Sequence, residues 1–218
     1  MALQTGVEEL DRLLGGGIEE GSLTEFYSPD LRVLSLLYHR IAVLAAHVGR
    51  VLALHVQDFG GLDPYLLRSM AKRLQIPWDA VESHLKLARA FKLEDAVNLL
   101  AKAQGESADF ALVFDPYMYW DWKRGWLATV LTWLLKSLTR DRTVVSFNRA
   151  LEGRWSPLGG SYHAHSVHAL IRLEASRRSL IRAILVKHPS LPPGAAWFSL
   201  AELEGPSWGG RRLLLEWL

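Results

Sequence analysis

The chain has no cysteine. That excludes disulfide scaffolds, Cys-ligated zinc or iron–sulfur sites and thiol catalysis, and it accords with a reducing compartment. Net charge is nearly absent as well: 25 Lys and Arg stand against 23 Asp and Glu, a formal +2. A polybasic chain held to nucleic acid by bulk charge is therefore excluded, while a local phosphate-binding patch is not. No run of 18 uncharged apolar residues occurs, so no membrane span is expected. The opening MALQTGVEELDRL lacks the basic-then-apolar pattern of a signal peptide. Half the residues are hydrophobic and only 22% are charged, which sets the chain apart from disordered sequences. Its 218 residues suffice for one compact core, burying roughly 70% of the surface of the unfolded chain. A single cytoplasmic domain is expected. Nine tryptophans is a high number for a lone monomer and hints at a partner surface.

Hydrophobic periodicity divides the chain. Val7, Leu10, Leu13 and Leu14 lie on one helical face, with Thr5 and Glu8 spaced as a capping box and Gly15-Gly16-Gly17 as the stop. Leu23 to Tyr27 reads as a short strand, Leu31 to His47 as a strongly apolar helix, and Val51 to Val56 as a buried strand. Asp63-Pro64 is an N-cap and first-turn proline for a helix to about Leu74. Strand Leu85–Leu87, helix Leu93–Gln104, strand Phe110–Phe114, helix Gly125–Leu138 and strand Thr143–Phe147 follow. After a Gly159-Gly160 turn come three strands, Ser166–Glu174, Leu180–Lys187 and Ala195–Leu200. Strand–helix alternation predicts an α/β domain with a mostly parallel central sheet between helices, closed by antiparallel strands at its C-terminal edge. No linker or internal repeat breaks residues 1–218.

In such sheets ligands bind beyond the carboxyl ends of the strands, which directs attention to residues 28–35. A phosphate-binding loop there needs glycines, a Lys and a Ser or Thr. The chain supplies Ser28-Pro29-Asp30-Leu31-Arg32-Val33-Leu34-Ser35, with no glycine, one N–H removed by Pro29 and a carboxylate at Asp30. Gly-Lys-Ser or Gly-Lys-Thr occurs nowhere in the chain.

Several segments in order nevertheless resemble one family. Thr5-Gly6-Val7-Glu8-Glu9-Leu10-Asp11, then Leu14-Gly15-Gly16-Gly17-Ile18 and Gly21-Ser22-Leu23-Thr24-Glu25, resemble the opening of the RecA/RadA recombinase core. Ala88-Arg89-Ala90-Phe91, Arg124-Gly125-Trp126-Leu127-Ala128, and Pro157-Leu158-Gly159-Gly160 with Ala164-His165 and Ile171-Arg172-Leu173 continue the likeness. Lys187-His188-Pro189-Ser190-Leu191-Pro192-Pro193-Gly194-Ala195-Ala196-Trp197-Phe198 is similar to the family's closing segment. The RadA side fits better than the bacterial RecA side, and the resemblance implies a RecA-like core. It begins at residue 5, so the family's N-terminal helical DNA-binding domain is expected to be absent, and the Phe-x-x-Ala polymerisation linker with it.

Laid on the family's Walker A loop, Ser28, Leu31 and Val33 stand where glycines belong, and Leu34 stands at the Lys. Ser35 keeps only the hydroxyl, and Gln57 stands at the catalytic Glu with Asp58 beside it. Asp115 matches the Walker B carboxylate and Asn148 the sensor Asn, which is followed by Arg149 instead of Gln. These departures imply lost ATP hydrolysis, with no catalytic residue and no cofactor expected. The two loops that contact DNA in the family correspond to Pro116–Lys123 and Arg149–Ser156, both short. Trp120, Trp122, Lys123, Arg124, Arg149 and Arg154 are the candidates for single-stranded DNA, joining aromatic faces to positive charge, with Tyr117 and Tyr119 beside them. The competing reading is that Trp120, Trp126 and Trp133 pack on the core or a neighbouring subunit. His163, His165 and His168 suggest a metal, His163 and His165 sharing a strand face, but no carboxylate sits at ligand spacing. Asp109, Asp115 and Asp121 read as solvated strand ends, Arg177-Arg178 as a hairpin turn, and Leu213–Leu218 as either a final strand or a partner-binding peptide.

The expectation is a non-catalytic recombinase paralogue, accessory to homologous recombination and repair. Its partners would be single-stranded DNA, a RadA-type recombinase or another paralogue, in a homo- or hetero-oligomer and away from membranes. The alternatives are an ATPase using ATP and magnesium, with Arg32 in place of the Walker Lys, and an assembly scaffold without DNA affinity. A relative of the KaiC-like ATPases, which share the opening motif, is a third; the Pro-Gly-Gly strand and the closing segment favour the recombinase branch.

Overall fold

The computed structural model describes residues 2–57, 61–120, 124–176 and 179–205. Eight strands form one sheet: β1 (Leu23–Ser28), β2 (Val51–Val56), β3 (Leu85–Ala90), β4 (Phe110–Phe114), β5 (Thr143–Arg149), β6 (Ala169–Ala175), β7 (Leu180–Lys187) and β8 (Gly194–Ser199). Their order is β3-β2-β4-β5-β1-β6-β7-β8. The first six are parallel, and β7 and β8 return antiparallel. The expected sheet, including its antiparallel edge, is the one found. β1 and β2 are buried along their whole length, as strands covered on both faces must be.

Helices α1 (Glu8–Leu13), α2 (Leu31–Val48), α3 (Pro64–Arg73), α4 (Trp78–His84) and α8 (Leu200–Glu204) accompany one core, containing Phe26, Leu37, Ile41 and Phe147. Helices α5 (Leu93–Ala103) and α6 (Gly125–Ser137) cover the other, built on Leu54, Val113, Leu131 and Val144. Alternation along β1 sends Phe26 to the first core and Leu23 to the second. α2 is long and apolar enough to cross a membrane by length and composition, yet 67% of that window is buried within the domain. Buried Arg40 of α2 ties the segment before α1 to α8, donating to the carbonyls of Thr5, Gly6, Glu202 and Leu203.

Several local expectations need correction. Thr5 and Glu8 form no capping box: Val7 is the N-cap of α1, and the Asp11 carboxylate instead accepts from the backbone of Thr5 and Gly6. Residues 160–166 are a helix, α7 (Gly160–Ser166), so His163 and His165 do not share a strand face. Its N-cap, Gly159, has φ +102°, a conformation glycine adopts without strain. α8, opened by a capping box of Ser199 and Glu202, was not expected; the last expected strand, Ala195–Leu200, runs one residue into it. Asp58, Asp121, Arg177-Arg178 and the Leu213–Leu218 tail lie outside the described residues.

Candidate functional site

The carboxyl ends of β1, β2, β4 and β5 share one edge, bringing together Ser28, Gln57, Asp115 and Arg149. Between β1 and α2 the chain turns in two residues, Pro29 and Asp30. The Asp30 amide donates to the Ser28 hydroxyl at 3.0 Å. The Asp30 carboxylate in turn accepts from the amides of Arg32 at 2.9 Å and Val33 at 3.3 Å. Those first-turn amides are the groups with which a helix N-terminus holds an anion, and here the chain's own side chain occupies them. Leu34 is wholly buried in the α2 core. The Ser35 hydroxyl lies 3.4 Å from Nδ1 of His39, and Arg32 turns away to pair with Glu204 at 3.3 Å.

Across this edge Asp115 is 1% exposed, at φ +53°, sparsely populated for a residue with a side chain. Arg149 Nη2 donates to its Oδ2 at 2.6 Å and to Met118 Sδ at 3.2 Å. Burial pushes the Asp115 carboxyl up, against the opposing pull of Arg149 and Gln57. A guanidinium thus sits where a metal-binding carboxylate would need open space.

Beneath lies a buried polar chain centred on Glu25 of β1. Glu25 accepts from Ser146 at 2.8 Å and Asn148 at 3.2 Å, and is 2.7 Å from Nε2 of His163. His163 Nδ1 meets the Tyr117 hydroxyl at 2.8 Å, and that hydroxyl meets Thr132 at 2.7 Å. Asn148 also donates to the Leu158 carbonyl at 2.9 Å. The network ties the loop after β4, through Tyr117, the loop after β5, through Leu158, and α7, through His163, to the central strand. Among the described residues, no group of three or more His, Asp or Glu is placed to hold a metal ion.

The expected DNA-contact residues have diverse surroundings. Tyr117 is fully buried, and Trp120 packs partly buried against the α5–α6 core. Arg124 pairs with Glu94 at 2.8 Å, and Arg149 is held by Asp115. Trp122 and Lys123 lie outside the described residues. Arg154 is exposed on the loop joining β5 to α7. Sequence reasoning missed Arg172 of β6, which donates from Nη1 to the carbonyls of Arg154 at 2.8 Å and Trp155 at 2.9 Å. Only the register that sets Tyr27 beside Arg172 reveals it. Trp126 and Trp133 on α6 are 66% and 56% exposed, so they do not pack on this chain's core.

Strand order, the antiparallel edge and the ligand-side carboxyl ends together define a RecA-like α/β domain. A family model described as Rad51 matches residues 1–118. The DNA repair and recombination protein RadB of Halobacterium salinarum is 30% identical over 216 residues, covering 88% of this chain and 89% of that protein. The meiotic recombination protein DMC1/LIM15 homolog of Homo sapiens is 27% identical over 232 residues, covering 91% and 68%. A crystal structure of the RadB recombinase matches with a TM-score of 0.80 at 21% identity, over 93% of this chain and 97% of that one. The chain belongs to the Rad51 family of the RecA-like recombination and repair proteins.

Proposed function

We propose that this protein is a non-catalytic member of its family. It assists homologous recombination by binding single-stranded DNA, a recombinase or both, and it does not turn over ATP. The observation that carries the reading is Asp30: its carboxylate caps the amides a nucleotide phosphate would use, and a second negative charge there is repelled. The buried Leu34 and the Asp115–Arg149 pair support it from either side. Arg32 is directed to Glu204, away from the role of a substitute Walker lysine. The relatives named for DNA repair and recombination supply the biological setting.

The test is fluorescence anisotropy of labelled single-stranded DNA against the protein over a salt series, with and without ATP and magnesium. Binding that weakens with salt and ignores ATP is expected. ATP-dependent binding, or steady ATP hydrolysis lost in an Asp115→Asn variant, would overturn the non-catalytic reading. No DNA binding at low salt would leave the recombinase as sole partner, a role the exposed Trp126, Trp133 and Trp197 suit.

A further inference from the structure

The sheet ends at β3 on one side and at β8 on the other. β3 carries Lys86 and Arg89, charges of the kind that discourage a further strand. β8 reads Gly-Ala-Ala-Trp-Phe-Ser, with neither charge nor proline. Its pairing with β7 fixes which of its backbone groups face outward. Leu180 lies opposite Ser199, so Ser179 lies opposite Leu200, and the Leu200 amide donates to the Ser179 carbonyl at 2.8 Å. In an antiparallel ladder, bonded and unbonded pairs alternate. Gly194, Ala196 and Phe198 therefore turn their amides and carbonyls to β7, while Ala195, Trp197 and Ser199 turn theirs away. The outward Ser199 amide is taken by the Glu202 carboxylate at 2.7 Å. Pro193, the next outward residue at the other end, has no N–H. Between these two stops stand the amides and carbonyls of Ala195 and Trp197, without a hydrogen-bond partner among the described residues.

That short row is self-complementary. Turned about a two-fold axis beside Ala196, a second β8 sets its Trp197 opposite Ala195 and its Ala195 opposite Trp197. Each such pair exchanges two N–H···O=C bonds, and the stops at Pro193 and Ser199 fall opposite each other. Opposed side chains share a face, so each indole meets a methyl group and not a second indole. Beyond Ala195 on that face lies Ile184, and beyond Trp197 lies Arg182, its guanidinium 5.7 Å from the indole centre. Trp197 is 54% exposed, and the small Ala195 of a second copy leaves room for it beside Ile184. The charges agree as well. A two-fold axis sets every residue near it against its own copy, and β8 has no charge to repel itself. Arg182, one strand back, is balanced by Glu174 at 3.8 Å.

We propose that β8 is a dimerisation edge, pairing antiparallel with β8 of a second copy about Ala196 and joining the two sheets edge to edge. A second copy is favoured over nucleic acid because β8 offers no cation to a phosphate. It is favoured over a strand from another protein because the row's own register satisfies it. Two six-residue strands and two half-exposed indoles make an interface at the small end of the usual range. A dissociation constant of about 1–100 µM is expected.

Sedimentation equilibrium of the wild-type protein across that range measures the dimer. Ala195→Pro removes an outward amide and spares the ladder to β7, a substitution an edge strand tolerates. It deletes two of the four bonds between copies and is expected to weaken association about tenfold or more, the equivalent of about 1.4 kcal/mol. The urea midpoint should stay near that of the wild type. Register is read with single cysteines, since the chain has none of its own. Ala196→Cys faces its own copy across an unbonded pair, with Cα atoms about 4.5 Å apart, within disulfide reach. It is expected to cross-link with itself under oxidised glutathione. Ala195→Cys and Trp197→Cys should each fail to do so alone and cross-link when mixed. This second arm holds whether or not the proline variant folds. A wild-type protein still monomeric at about 100 µM overturns the inference. So does a dimer that a folded Ala195→Pro leaves intact, or one in which Ala196→Cys does not cross-link, because another surface then holds the copies together.

Discussion

Arg149 ends β5 and Arg154 lies on the loop that follows, and they look alike in sequence, but their surroundings give them different work. Arg149 is 29% exposed and neutralises a carboxylate that is 1% exposed, whereas Arg154 points into solvent. Removing Arg149 strands Asp115 as a buried, unpaired charge; removing Arg154 strands nothing. Arg149→Ala should therefore cost about 2 kcal/mol at neutral pH, less than a fully buried pair because the arginine is partly wet. Arg154→Ala should stay within about 0.5 kcal/mol of wild type. Urea denaturation checks the stabilities, and the salt series checks that Arg149→Ala leaves the counterion slope intact. The reverse pattern would put Arg149 on the nucleic acid. His55 carries a second residue-scale consequence. It is wholly buried, 2.6 Å from the Tyr38 hydroxyl, and burial with help from His39 and Arg89 pushes its pKa down to about 3. Below the ordinary histidine value of about 6.5 the unfolded chain takes up a proton that the folded chain refuses. Stability is thus present above that value and falls as pH drops toward about 3, by up to about 1.4 kcal/mol per unit. His55→Gln should flatten the urea midpoint measured from pH 7 to pH 4; an equally steep variant would assign the slope to other groups.

At the scale of elements, the long helices declared themselves and, α1 apart, the short ones did not. α2 repeats apolar residues over five turns, and α3 announces itself with Asp63 accepting from the amides of Tyr65 and Leu66. α4, α7 and α8 span seven, seven and five residues, too few for a period to emerge. The Ser199–Glu202 spacing was a readable start signal for α8, but it went unread because the strand before it was drawn one residue too far, to Leu200. α7 was hidden more deeply. Its starting glycines suggested a turn, and the alternating histidines suggested a strand, whereas His163 is fixed by Glu25, 138 residues away. Local pattern carries no trace of such a partner. Gly159 shows how tightly that helix start is set: a Cβ there would lie 2.8 Å from the Tyr117 ring and 3.0 Å from the His163 Cβ, at φ +102°. Gly159→Ala combines backbone strain with collision against a buried ring, for a cost of about 1–3 kcal/mol. Denaturation midpoints measure that cost, and a loss under about 0.5 kcal/mol would mean that α7 and the loop after β4 reposition freely.

For the whole molecule, the mostly parallel sheet and its antiparallel edge were legible because strand–helix alternation admits few topologies. The chemistry of the edge was legible only by subtraction. Missing glycines and lysine could be read at residues 28–35, but not that Asp30 fills the space by capping α2, nor that Arg149 closes on Asp115. The Asp115–Arg149 pair depends on β4 and β5 being brought together by the sheet, whereas the Asp30 cap is local, reaching amides two and three residues on. Their joint effect is measurable on the intact protein, since a ligand that binds only the folded state raises stability by RT ln(1 + [L]/Kd), about 2.7 kcal/mol at a hundred times Kd. For a domain of this size each kcal/mol moves the melting midpoint about 2–4 °C, so a working nucleotide site would show about 5–10 °C with millimolar ATP and magnesium. The capped helix predicts less than about 1 °C. Asp30→Ala should lower stability by about 1 kcal/mol through loss of the cap and still leave the midpoint indifferent to ATP, because Leu34 and Arg149 remain. An ATP shift that appeared in Asp30→Ala alone would make the cap the sole barrier to nucleotide. A shift of several degrees in the wild-type protein would mean that the capped end opens, and the chain would have to be read as an ATP-binding member of its family.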